Sequence, residues 1–247
     1  MKQQILVPAL SLVLALGAFS TSHAESYIFA VPSATVTDKG SLYCEGDANF
    51  ATSSAGASGF MGRCMAGAYD GLEVGVNALG LVSKPASAAE LQPNIKYQWF
   101  NKDGFQIATG ITGFLPVTHT NTEEGFANLY TVGRYQTNIG ALGGYAPAFS
   151  AGGWTLLGGG GNHTGSRQGV ILGVEQPLLL DGSGAPQLSF AADWESGNQT
   201  HAGFSSLTPG LVLNLPHNFV MAAGYSISNV SSKYNTPAFW AGYTLKF

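Results

Sequence analysis

Three histidines are the side chains best suited by type to do chemistry. His119, His163 and His201 lie in polar stretches, with Glu123, Glu124, Asp193 and Glu195 near them in the chain. A histidine beside a carboxylate can act as a general base or hold a metal ion. The spacings support neither role, because there is no nucleophile elbow, no His-Glu-x-x-His helix and no carboxylate pair set for acid–base work. Gly158 to Gly161 followed by Asn162-His163-Thr164-Gly165-Ser166 has the glycine content of a phosphate-cradling loop. It lacks the Lys before Ser, and no helix pattern follows to supply N-terminal amides. These residues read as solvated loops, so no catalytic residue, metal ligand or cofactor is assigned and an enzyme is not expected.

The remaining polar side chains fall in a regular pattern. In Glu90 to Phe100, Leu91, Pro93, Ile95, Tyr97 and Trp99 alternate with Glu90, Gln92, Asn94, Lys96 and Gln98. A helix would scatter these around its circumference, whereas a strand puts them on opposite faces. In 41 to 52, Leu42, Cys44, Ala48 and Phe50 oppose Tyr43, Glu45, Asp47 and Asn49. Near the end, Leu188, Phe190, Ala192 and Trp194 oppose Gln187, Ser189, Asp193 and Glu195, and Phe239, Tyr243, Leu245 and Phe247 oppose Trp240, Thr244 and Lys246.

Twelve such segments are expected, at 41–52, 58–68, 71–82, 90–100, 105–117, 126–138, 149–160, 167–178, 186–195, 203–215, 219–229 and 237–247. The Gly-rich 149–160 has no clear register. Connections alternate between tight ones, such as Tyr69-Asp70-Gly71, Asn101-Lys102-Asp103-Gly104 and Pro216-His217-Asn218, and longer polar ones, including 83–89, 118–125, 162–167 and 229–237. Outward aromatics then gather in two belts. Phe50, Phe60, Trp194 and Phe239 form one, and Trp99, Phe105, Phe219 and Phe247 the other.

Composition says what surrounds these strands. Charged residues are 10% of the 247, against about 25% in a soluble domain, and aromatics at 11% argue against disorder. The chain opens with Lys2, an apolar run from Ile5 to Phe19 and the small-residue site Ser22-His23-Ala24, which is the pattern of a secretory signal peptide over 1–24. The remaining 223 residues hold nine Lys and Arg, ten less Lys2, against fourteen Asp and Glu, which excludes nucleic acid as a partner. An exported, weakly charged strand protein without a spanning helix pairs its backbone inside a bilayer by closing into a barrel. The fold expected is an all-β, transmembrane, antiparallel up-and-down β-barrel over 41–247, placed in the outer membrane of a Gram-negative cell. Its termini and tight turns face the periplasm and its longer loops face outward.

Two resemblances bear on this. The terminal Gly242-Tyr243-Thr244-Leu245-Lys246-Phe247 resembles the carboxyl-terminal assembly signature of bacterial outer-membrane barrels, departing from it in having Trp240 where a polar residue is usual. That resemblance implies recognition by the barrel-assembly machinery through Phe247, and a setting of outer-membrane lipid and lipopolysaccharide. Asp38-Lys39-Gly40-Ser41-Leu42, Gly71-Leu72-Glu73-Val74-Gly75-Val76 and Leu91-Gln92-Pro93-Asn94-Ile95-Lys96-Tyr97 look like stretches of uncharacterised transporter-like barrels associated with aromatic-compound (phenol) degradation.

The polar faces supply the candidate pore lining: Glu45, Asp47, Arg63, Glu73, Glu90, Gln92, Asn94, Lys96, Gln98, Glu175, Asp193 and Glu195. With Arg134 and Lys246 counted, carboxylates outnumber cations, which implies a mild cation preference. A first-hairpin register in which paired residue numbers sum to 108 sets Glu45 opposite Arg63 and Cys44 opposite Cys64. In an oxidising compartment those two cysteines are either a cross-strand disulfide or a pair of lipid-facing thiols. Residues 25–40 either enter the barrel as a plug or lie as a periplasmic segment. Function is then expected to be a narrow passive channel for small solutes. The alternatives are a structural or binding barrel and a surface hydrolase.

Overall fold

The hairpin turns show how the chain reverses. In the turn Lys102-Asp103-Gly104-Phe105, Asp103 (φ 53°) and Gly104 (φ 79°) both lie in the left-handed region, the geometry that matches the twist of two antiparallel strands. His217 (φ 65°) and Asn218 (φ 61°) do the same beyond Pro216. At Gly71 (φ 77°) a side chain would also meet the Gln98 carbonyl oxygen at 2.8 Å, so the position demands glycine.

The computed structural model describes residues 31–50, 58–84, 89–117, 125–138, 145–158, 166–197, 205–230 and 235–247, with side chains left out at 80–84. Among these residues there are twelve strands and no helix: β1 Ser41–Asn49, β2 Ser58–Tyr69, β3 Leu72–Lys84, β4 Glu90–Lys102, β5 Phe105–Pro116, β6 Phe126–Gln136, β7 Ala148–Gly158, β8 Gln168–Leu180, β9 Pro186–Ser196, β10 Ser205–Leu215, β11 Phe219–Ser228 and β12 Thr236–Lys246. Each pairs antiparallel with its chain neighbours, and β1 pairs with β12 from Ser41–Lys246 to Asn49–Ala238, closing the sheet. Closure leaves no unpaired edge. Strands of 9 to 13 residues match the roughly 9–11 that a tilted strand uses to cross a bilayer. The twelve strands match the twelve expected segments to within a few residues at their ends.

Alternation holds around the wall. In β4, Lys96 is 1% exposed while its neighbours Ile95 and Tyr97 are 44% and 52% exposed. Outward apolar side chains on a closed sheet form a lipid-facing surface, and buried ionic ones form the interior. Phe50 packs edge-on against Phe239 at 5.9 Å, and Phe100 against Phe105 at 5.8 Å, at opposite ends of the wall. A bulge between Gln98 and Phe100 lets Trp99 and Phe100 both face outward.

The Gly-rich β7 has a definite register. Ala148, Ser150, Gly152, Trp154 and Leu156 face the interior, and Phe149 and Leu157 face out. Trp240 of the terminal segment also faces inward, buried opposite Asp47.

Candidate functional site

The interior of the barrel is the candidate site, and its chemistry differs from one part of the wall to another. Strands β1 to β4 carry ions. Arg63 is held between Glu45, at 2.6 Å, and Asp47, at 2.5 Å, and Tyr43 donates its hydroxyl to Glu45. Glu73 and Lys96 pair at 3.3 Å, each with its side chain 1% exposed. Beyond them an amide ladder runs along β3 and β4. Asn94 donates to Asn77 at 3.4 Å, Asn77 to Gln92 at 3.1 Å, and Gln92 to Glu90 at 2.5 Å. On the far side Arg134 of β6 meets Glu175 of β8 at 2.8 Å. Burying ions at such depth is costly unless they are paired, and each of these faces a partner of opposite sign.

Toward the longer loops, the inward face of β5 to β8 is largely apolar. Phe114 and Phe126 stack at 4.3 Å, and Tyr130, Trp154, Leu156 and Ile171 continue the surface. Sequence reasoning sought polar inward faces and missed this aromatic surface. A readable signal existed: inward glycines sit beside inward aromatics on the next strand. Gly110 faces Tyr130 and Gly169 faces Trp154 in register, and a Cβ at either glycine would come within 2.3–2.5 Å of the ring. The rings therefore lie flat on bare backbone rather than projecting across the bore.

Residues 31–38 run inside the barrel. Val31, Ser33, Ala34 and Thr37 are buried. The Thr37 amide and hydroxyl each donate to Glu73 at 2.8 Å, Gln98 donates to the Ala34 carbonyl at 2.7 Å, and the Val31 amide donates to Asp193 at 3.2 Å. The segment thus crosses from β3 to β9, after Lys39 and Gly40 meet β2 at Gly67. Two chambers flank it. One of about 370 Å³, toward the longer loops, includes Pro32, Arg63, Gln92 and Glu195 in its lining, and one of about 330 Å³, toward the tight turns, is lined by 35–39, Gln98 and Gln106 among others.

All twelve sequence-predicted lining residues therefore lie on interior-facing positions. Cys44 and Cys64 stand opposite each other on the outer face, Cα atoms 4.1 Å apart, joined by a disulfide. His119, His163, His201, Glu123 and Glu124 lie outside the described residues, as does the segment 1–24. Among the described residues no group of three or more His, Cys, Asp or Glu side chains is set to hold a metal ion.

No protein-family model matches the sequence, and no curated protein matches it either. Solved structures do. The chain superposes on the KdgM porin with a TM-score of 0.56 at 9% identity, covering 83% of this chain and 99% of that one. It superposes on the NanC porin with a TM-score of 0.53 at 11% identity, covering 83% and 99%. An outer-membrane channel of Pseudomonas putida F1 gives 0.51 at 11%, covering 88% and 98%. At such identity the likeness is one of architecture: the chain is a closed twelve-stranded antiparallel barrel of the kind that outer-membrane porins have.

Proposed function

We propose that this protein is an outer-membrane channel for small solutes, passive and without catalytic activity, whose bore is narrowed by its own residues 31–38. The observation that carries this reading is the separation of faces: paired ions and amides line an enclosed interior, while apolar side chains such as Ile95, Leu172 and Leu211 cover the outside. A wall of that kind is stable only with acyl chains around it and polar groups within. The fold shared with solved porins supports the same reading.

Seven carboxylates at inward positions (Glu45, Asp47, Glu73, Glu90, Glu175, Asp193 and Glu195) stand against four cations, Arg63, Lys96, Arg134 and Lys246. The excess favours cations over anions in the bore. Phe247 is the element offered to the assembly machinery, and lipid and lipopolysaccharide are the surroundings. The three stretches that resemble barrels of phenol degradation add small aromatic acids to the solutes worth trying.

The test is a planar-bilayer recording of the refolded mature chain under a salt gradient, with liposome swelling in sugars and small aromatic acids. Discrete conductance with a cation-directed reversal potential is expected. An anion-directed potential removes the cation preference. Folded barrels that give neither current nor swelling overturn the channel and leave a structural or binding barrel, the reading that the anchored inner segment would then favour.

A further inference from the structure

We propose that the chamber on the loop side of residues 31–38 is a binding site for a small organic ammonium ion, an apolar body carrying one protonated amine. This deepens the channel reading by naming a solute class, and it rests on the enclosed interior.

The chamber, about 370 Å³, is within the size range of small-molecule sites. One wall is aromatic, built from the stacked Phe114–Phe126 pair, Tyr130 and Trp154. Such faces attract an alkyl or aryl body and, through their ring quadrupoles, a cation. Two of the polar groups that complete the wall, on Asn128 and Glu195, are acceptors, while Arg63, Asn77 and Gln92 give hydrogen bonds to other side chains. The Asn128 side-chain oxygen is buried without a hydrogen-bond partner. The Glu195 carboxylate lies against Ser206 and forms no ion pair among the described residues. A buried acceptor left unsatisfied by the protein costs free energy that a ligand N–H recovers.

The positions of Trp154 and Glu195 are linked. The indole rests on Gly169 and Gly197, whose Cβ atoms would lie 2.5 and 3.0 Å from it. Gly197 follows Glu195 by two residues, and Glu195 is paired with Ile171, which follows Gly169 by two residues on β8. Ring and carboxylate thus line the same chamber from β7 and β9. Among the described residues the one cation in the lining, Arg63, is already engaged by Glu45 and Asp47, so a carboxylate solute finds no open partner in it to match what an ammonium finds at Glu195.

The experiment reads binding rather than current. The refolded mature chain in detergent micelles is titrated at neutral pH into 4-fluorobenzylammonium, 4-fluorobenzyl alcohol and 4-fluorobenzoate, followed by fluorine NMR, with empty micelles subtracted. The ammonium is expected to bind about tenfold tighter than the alcohol, with the benzoate weaker still. Glu195→Gln and Trp154→Leu, each checked for a folded barrel by heat-modifiable gel mobility, are expected to weaken it about tenfold. Equal binding of the three probes, absence of ammonium binding, or full affinity in folded Glu195→Gln overturns the proposal. The comparison of probes on the unaltered chain decides the matter even where a variant does not fold. A protein that conducts but does not bind the ammonium loses this site and keeps the channel.

Discussion

Thr37 gives both its backbone amide and its hydroxyl to the same carboxylate oxygen of Glu73, each at 2.8 Å. One inward side chain of β3 therefore holds the inner segment to the wall at its root, while its other oxygen faces Lys96. A neutral donor on a buried carboxylate makes a strong hydrogen bond.

Replacing Thr37 by Val keeps the shape and removes the hydroxyl bond. The expected cost is about 1.5–3 kcal/mol in the folding equilibrium of the barrel in vesicles, measured by urea titration. Mean bilayer current should rise as the root of the segment loosens. A current identical to that of the unaltered chain would mean that the segment does not restrict flow.

Glu73 and Lys96 should behave as a unit. Glu73→Leu alone leaves an ammonium buried beside an apolar group and is expected to destabilise by about 3–5 kcal/mol. Adding Lys96→Met should recover most of that loss. A double-mutant cycle with no coupling between the two changes would refute the ion pair.

The cysteines give a chemical readout. Alkylation without reductant followed by mass spectrometry should find Cys44 and Cys64 unmodified, and reduction should expose both. At a sequence separation of 20, removal of the bond by Cys44→Ala/Cys64→Ala is expected to cost about 3 kcal/mol. Alkylated thiols in unreduced protein would count against the bond.

Ile95→Arg puts a cation on the outer face midway along β4. The expected loss is about 2–4 kcal/mol in the same vesicle titration, as for cations near a bilayer midplane. A neutral effect would place Ile95 away from acyl chains.

Asp181, in the exposed turn between β8 and β9, accepts from the Ser183 hydroxyl at 2.6 Å and from the amides of Ser183 and Ala185 at 2.8 and 3.0 Å. These bonds, the Ser183 hydroxyl foremost, hold its carboxyl below the usual aspartate range. Because the folded-state value is depressed, the closed turn is favoured in full above the unfolded value of about 3.9 and loses that support as pH falls through the lower folded one. Carbon NMR of the Asp181 carboxyl should give a midpoint under 3.9. A midpoint at or above it would show that the turn bonds do not form in solution.

Much of the wall was readable along the chain because a strand sorts its side chains by parity, and parity needs no knowledge of neighbours. Glu90 to Phe100 and 41 to 52 display it plainly. In β7 the signal failed, since Gly152 and Gly153 carry no side chain to sort and Trp154 faces inward. In β4 the parity rule breaks at the bulge after Gln98, which turns Phe100 outward. A bulge is a property of the strand pair, and so it is invisible in one strand read alone.

By itself the sequence determined that the chain is built of strands with one apolar and one ionic face, and that such strands close on themselves, because strands have no other way to pair their backbone in a bilayer. It did not decide where residues 25–40 go, and only the tertiary structure did so for 31–38. Their anchors, Glu73, Gln98 and Asp193, lie 36, 64 and 162 residues away from their partners in the chain. The structure also decided that one wall of the loop-side chamber is aromatic, because that surface exists only once Gly110 and Gly169 are brought in register beneath Tyr130 and Trp154. Periodicity is local and survives in a single strand; a lumen is made by strands that meet across it.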